Sequence, residues 1–351
     1  MEMRKKSVIV AMMCLACLLA GCGKNTNVEK VVLTAGFQAD EVFRIEDISC
    51  SKTEIMLLLT NTQNQYKSVY GEEILEKDFN GITLEEQIKE NILAQISQIK
   101  TMNLLAREQN VNLDEEEIEK VKEAAEAYYA SLNETEKEKM QLSQEIVENL
   151  YYEYALAQKV YRYIIRDINP EISDDEARTV TVQHILFKTY EVDGTGQKVD
   201  YSEDAKADTY MQAQEVLRIA KSEDGDFEQL MVDYSDSEEG TISFGKGEME
   251  TAFEEIAFNL ETGEISEIIE TSYGYHIIKC MNTFNREETD ANKIKIVEKR
   301  RQEVFGQEYE TYAQTLTKKL NEDLWDDITL FREEAITTRN FYEIYEEYIQ
   351  K

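Results

Sequence analysis

The sequence predicts an α+β unit, a small antiparallel sheet with surrounding helices, inserted in a mainly α-helical body. Three observations carry this prediction. Residues 179–187 and 273–281 read as strands, the first with Val180, Val182, His184 and Leu186 at alternate positions, and helical patterns lie between them. Residues 44–178 and 294–320 instead carry apolar side chains at helical spacing, with repeated capping signals. The single proline, Pro170, marks the junction, because the residue before a proline is pushed out of the helical region. The 351 residues suffice for two or three domains of roughly 100–200 residues each.

The elements follow in chain order. Arg4, Lys5 and Lys6 precede an apolar run from Val8 to Ala20 that is short for a membrane span. It ends in Leu19-Ala20-Gly21-Cys22, which resembles the bacterial lipobox, whose cysteine receives a diacylglycerol after cleavage before it. The expectation is a signal peptide at 1–21, a lipid on Cys22, a tether at 22–40 and a body outside the cytoplasm. Each buried CH₂ of such a lipid contributes about 0.8 kcal/mol of membrane affinity.

Residues 41–178 open on a short strand near Phe43 and continue as helices. Ser51 with Glu54, and Thr83 with Glu86, have capping-box spacing. Leu84, Ile88, Ile92, Ile96 and Ile99 then recur on one helical face. Asp114 begins another helix, with Leu113 and Ile118 as a hydrophobic staple. Ser143 opens a helix bearing Ile146, Leu150, Tyr154 and Ala157, and Ser173 caps a short one. The chain has 20 tyrosines, several of them here (Tyr128, Tyr151, Tyr154). Such rings serve either as core or as adaptable contact surface, and they leave a homodimer open.

In the α+β unit, at 179–284, Val180, Val182, His184 and Leu186 share one strand face. A polar loop at 191–201 precedes a helix at 203–222, and Asp226 caps another helix. Gly240 to Gly247 reads as a turn with a short strand. Phe253, Ile256, Ala257 and Leu260 make a helix face, and Tyr273 to Met281 a last strand. The order is β-α-α-β-α-β. A C-terminal helical segment at 285–351 is expected to pack with the N-terminal helices.

The formal net charge of −34 argues against nucleic-acid binding. Beyond the first 22 residues only Cys50 and Cys280 remain, too far apart in sequence to predict a disulfide. The chain's one CxxC, Cys14 to Cys17, lies in the expected signal peptide; beyond it there is no CxxC and no Cys/His metal cluster, so no metal or other cofactor is expected. The only histidines, His184 and His276, fall in the first and last strands of the α+β unit. If those strands lie side by side, the imidazoles can meet; the alternative is two satisfied core side chains.

Further segments carry a resemblance. Phe227-Glu228-Gln229-Leu230, Tyr234-Ser235-Asp236-Ser237, Phe244-Gly245-Lys246-Gly247-Glu248-Met249 and Thr271-Ser272-Tyr273-Gly274-Tyr275-His276 occur in order across the unit. Together with His184-Ile185-Leu186 they resemble the parvulin family of peptidyl-prolyl isomerases. The flanking helices and the lipobox resemble the layout of PrsA-type foldase lipoproteins and, more distantly, SurA-type chaperones. The resemblance implies that His184 and His276 are paired active-site histidines and that Thr271 is bonded to them. It implies that Met249 and Phe253, with Phe244, hold the proline ring. Ser237 stands where the family usually has Cys or Asp. The family's Gly-Asp-Leu-Gly turn is here Gly240-Thr241-Ile242-Ser243, one residue shorter before Phe244.

The implied function is an extracytoplasmic, lipid-anchored foldase that isomerises X–Pro bonds in unfolded or partly folded exported proteins. The alternative is a holdase chaperone with a weakly active or inactive parvulin domain. Asp233, Asp236, Glu238 and Glu239 make the surroundings of Ser237 acidic, which excludes a preference for phosphorylated substrates.

Overall fold

A computed structural model of the chain describes residues 36–79, 81–194 and 197–349. The expected signal peptide, Cys22 and most of the tether lie outside the described residues. Strands β1 (Glu41–Ile45) and β2 (Ile48–Ser51) form a hairpin that feeds helix α1 (Lys52–Tyr70). Ser51 and Glu54 cap α1 reciprocally, as their spacing predicts. A 3₁₀ turn (Glu72–Glu76) and the two-residue strands β3 (Asp78–Phe79) and β4 (Ile82–Thr83) lead into α2 (Leu84–Glu108). Helices α3 (Glu115–Ser131), α4 (Glu134–Met140), α5 (Gln144–Ile165) and α6 (Asp174–Ala177) follow.

The middle of the chain contains β5 (Thr179–Lys188), β6 (Tyr190–Val192), β7 (Lys198–Asp200), α7 (Glu203–Ala220) and α8 (Phe227–Tyr234). It continues with β8 (Thr241–Gly245), α9 (Thr251–Asn259), β9 (Ile269–Thr271) and β10 (Gly274–Asn282). The last elements are α10 (Arg286–Ala313), β11 (Lys318–Leu320), α11 (Glu322–Asp326) and α12 (Phe341–Ile349).

The chain divides into two compact units. One comprises the described residues up to Ile168 together with those from Arg301 onward; the other is Asn169–Arg300. In the first unit, β11 and β2 flank β1 in a three-stranded sheet. Its core joins α2, α3 and α5 to the C-terminal Phe341 and Tyr345. Tyr128, Tyr151 and Tyr154 are buried there, so these rings serve as core.

In the second unit, a four-stranded antiparallel sheet runs in the order β8-β5-β10-β9. Each face has its own core. Ile185, Phe187 and Ile277 pack under α7 and α8, whereas Val180, Val182 and Ile278 pack with Phe253 and Ala257 of α9. The unit extends past its sheet at both ends. Asn292 Nδ2 donates to the Ala177 carbonyl at 3.1 Å, and the Thr179 N–H donates to the Thr289 hydroxyl at 3.1 Å.

Three sequence expectations need correction. The helix expected at 294–320 runs instead from Arg286 to Ala313. The Asn285 side chain accepts the Glu288 N–H and starts it early. Beyond its end, Lys318–Leu320 pairs with β1, a long-range partner that overrides local helical patterning. The expected loop at 191–201 contains the β6–β7 hairpin, with Tyr190 opposite Asp200 and the Lys198 ammonium 4.7 Å from the Tyr190 ring centre. The β-α-α-β-α-β order also omitted β9, whose three residues are too few to show a period. Cys50 and Cys280 are both free and buried.

Candidate active site

His184 lies on β5 and His276 on β10, and these strands pair antiparallel at the centre of the sheet. The register sets His184 opposite Ile278 and His276 opposite Leu186. The two histidines are therefore diagonal neighbours on one face. Their Nδ1 atoms are 3.4 Å apart, and their rings are nearly parallel, at 24°.

The hydrogen bonds give this pair a direction. A carbonyl can only accept, so His184 Nε2, 2.9 Å from the Glu239 carbonyl oxygen, carries a proton. Neutral His184 then presents Nδ1 as an acceptor, to which His276 Nδ1–H donates. That leaves His276 Nε2 as an acceptor for the Thr271 hydroxyl, 2.9 Å away. The Thr271 oxygen in turn accepts the Tyr273 N–H at 3.1 Å. A chain of donors thus runs from Thr271, whose hydroxyl also lies 3.4 Å from the Gly274 carbonyl, through both imidazoles to Glu239.

Both rings are buried, at 6% exposure each. Burial disfavours the imidazolium and pulls His184 below its ordinary 6.5. Burial, with the neighbouring His184, pulls His276 down to about 4. Both are neutral near pH 7.

The Phe253 ring stands edge-on to both imidazoles, with centroids 5.7 Å from His184 and 5.1 Å from His276. Phe244 is 5.8 Å from Phe253, and half-buried Met249 packs against the same cluster. The fold therefore brings His184, His276, Thr271, Phe244, Phe253 and Met249 together. Ser237 joins them indirectly. Its hydroxyl donates at 3.0 Å to the Glu239 carbonyl, the acceptor that also orients His184.

Two participants were not foreseen from the sequence. The first is the Glu239 carbonyl, a backbone group that carries no sequence signal. The second is Glu250, whose carboxylate accepts the Ser272 hydroxyl at 2.5 Å and the Ser272 N–H at 3.0 Å. Those bonds hold its carboxyl below the usual range and brace the loop beside Thr271. Among the described residues no group of three or more His, Cys, Asp or Glu side chains could hold a metal.

Comparison with known proteins agrees with this geometry. Residues 184–282 match the family described as Rotamase: PPIC-type PPIase domain. The chain is 25% identical over 284 residues to the foldase protein PrsA of Caldanaerobacter subterraneus subsp. tengcongensis, covering 79% of this chain and 82% of that protein. It is 27% identical over 268 residues to the foldase protein PrsA of Clostridium acetobutylicum, covering 70% and 75%. A crystal structure of the peptidylprolyl isomerase PrsA from Bacillus cereus aligns at 19% identity and a TM-score of 0.35, over 85% of this chain and 95% of that one.

Proposed function

We propose that this chain, a parvulin-type peptidyl-prolyl cis-trans isomerase by its residues 184–282, is a lipid-anchored foldase for exported, unfolded proteins. One observation carries the assignment of the site. The Phe253 ring packs against both imidazoles of a continuous hydrogen-bond chain. An apolar seat for a proline ring thereby adjoins a fixed polar network.

Isomerisation of an X–Pro bond crosses a barrier of about 18–20 kcal/mol and takes tens to hundreds of seconds unaided. Twisting the bond breaks amide resonance, so the transition state has less charge separation than either planar isomer. A site that binds the twisted form better than the planar ones accelerates the exchange. In this reading Phe244, Phe253 and Met249 hold the ring, while neutral His184 and His276 place no ion beside the amide to favour its polar planar form. Thr271 and the Glu239 carbonyl fix the imidazole tautomers, and Ser237 steadies that carbonyl. The reaction requires no covalent intermediate.

The assay is cis-to-trans exchange of a short X–Pro peptide by the full chain beside Phe253→Ala. We expect acceleration by the wild type and a loss of roughly 10–100-fold in kcat/KM for the variant, the worth of one buried phenyl ring. A folded but inert wild type would instead favour the holdase reading.

In the same reading, residues 41–178 with 285–351 form a chaperone-like body that holds clients, and residues 179–284 are the isomerase. Cys22 anchors it to the membrane outside the cytoplasm. The support for anchoring is the Leu19-Ala20-Gly21-Cys22 sequence. No helix among the described residues is long and apolar enough to cross a membrane. Labelled fatty acid should enter the wild type in bacteria and not Cys22→Ala; equal labelling would reject the anchor.

A further inference from the structure

The helical unit contains a cavity of about 570 Å³, within the roughly 300–1,000 Å³ typical of ligand sites. It is lined by β2, the start of α1, the C-terminal part of α2 and one face of α5. A buried ion triad lies along it. Lys100 Nζ is 2.6 Å from Glu54 Oε1 and 2.8 Å from both carboxylate oxygens of Glu153. The Lys100 side chain is only 3% exposed.

Such a triad is costly to bury, and apolar residues in its place would often be as stable or more so. It is also unbalanced, with two carboxylates on one ammonium. Glu153 Oε2 is shielded from solvent, and its one close partner is the Lys100 ammonium that Glu54 and Glu153 Oε1 also share. Burial pushes the Glu153 carboxyl up even beside Lys100, so its negative charge is under-compensated. With Asp47 and Arg107, which pair with each other on the same lining, the cavity carries three carboxylates against two cations and so favours a further cation. Ile48, Tyr152 and Leu156 supply apolar wall for the stem of a long basic side chain.

The rim identifies the rest of the ligand. β2 pairs with β1 on one side and with no strand on the other among the described residues. Ile48 and Ser49 of that edge line the cavity, as does Ser51, whose N–H is already held by Glu54. A free edge can pair with an extended backbone whatever its sequence, while an adjoining pocket selects one side chain.

We propose that the free edge of β2 and the cavity beside it form a binding site for an extended polypeptide segment, with one lysine or arginine directed toward Glu54 and Glu153. This rests on the reading of the chain as a foldase for unfolded proteins. It adds a site distinct from the isomerase and a side-chain preference.

The test uses labelled, proline-free nonapeptides that do not engage proline catalysis, rich in Thr and Val, with central Lys, norleucine or Glu. Binding to the full chain is read by fluorescence anisotropy at 0.15 M salt. The Lys peptide is expected to bind about tenfold tighter than the norleucine peptide, the worth of one charge-assisted hydrogen bond. Glu153→Gln, near-isosteric and remote in sequence from the isomerase site, should abolish that preference while X–Pro turnover is retained. One charge among a formal −34 barely alters general attraction for cations, so the variant isolates the cavity. A Lys peptide N-methylated at alternate residues should bind at least tenfold more weakly, because strand pairing is blocked.

Equal binding of all three peptides, or a Lys preference that survives in Glu153→Gln, would overturn the proposal. So would undiminished binding of the N-methylated peptide, which would mark a site for isolated cations only. If Glu153→Gln does not fold, Glu54→Gln serves in its place. Each of these failures leaves X–Pro turnover, and so the isomerase reading, untouched.

Discussion

The histidine pair makes the active site sensitive to acid in a defined window. An exposed imidazole in the unfolded chain titrates near 6.5, whereas folded His276 titrates at about 4. Between those values the unfolded state binds a proton that the folded state refuses. Stability is therefore unaffected by this group above pH 6.5 and declines as pH falls toward 4, by about 3 kcal/mol in all. The chain carries 72 Asp and Glu residues, so its total pH curve contains many other groups. Urea unfolding of wild type and His276→Gln at pH 7.5 and 4.5 separates them. The wild type should lose its advantage over the variant in acid; a constant difference between the two would contradict a buried neutral imidazole. So far as His276 governs it, turnover should persist to about pH 5, because folded His276 remains neutral there.

Between strands, the geometry of the pair depends on one glycine. Gly274 opens β10 at φ +137°, and a Cβ placed there would lie 2.1 Å from the Phe187 carbonyl oxygen. Gly274→Ala must push β10 from β5 two residues before His276. We expect a loss of more than about 2 kcal/mol in stability and most of the turnover. Retention of both would mean that the sheet yields at its end without moving the histidine. This element was legible in the sequence because Val180, Val182, His184 and Leu186 fall on alternate positions of β5 and its partner also carries a histidine. The long capped helices were legible for similar reasons, and Ser51, Thr83 and Asp114 all cap as their spacing predicts. What could not be read was short or made elsewhere: three-residue β9 and β11, and the Glu239 carbonyl that orients His184. The same limit applies to α1, where polar Asn61, Thr62, Gln63 and Asn64 are all buried.

At the scale of the whole chain, those buried amides hold a C-terminal segment that has no strand partner. Gln63 Nε2 donates to the Phe331 carbonyl, Asn64 Nδ2 to those of Ile336 and Thr338, and Asn61 Oδ1 accepts the Phe341 N–H. Tyr151 donates its hydroxyl to the Phe341 carbonyl. Side chains more than 180 residues away in sequence thus satisfy backbone groups that would otherwise be buried without partners. Glu136, 2% exposed, completes the clamp by accepting the N–H groups of Thr337 and Thr338, both at 2.7 Å. Removing that carboxylate strands the N–H groups of Asn133, Thr337 and Thr338, and the one on buried Thr338 costs roughly 1–3 kcal/mol when unsatisfied. Glu136→Ala should therefore lower the melting temperature of the helical unit by roughly 2–12 °C, at about 2–4 °C per kcal/mol for a body of this size. The histidine network lies wholly within Asn169–Arg300, so turnover at 25 °C should stay within about twofold of the wild type. Calorimetry and the X–Pro assay on the same variant read the two effects. A parallel loss of turnover would show that the clamp supports the isomerase as well as the body. An unchanged melting temperature would show that the C-terminal segment keeps its place without the carboxylate.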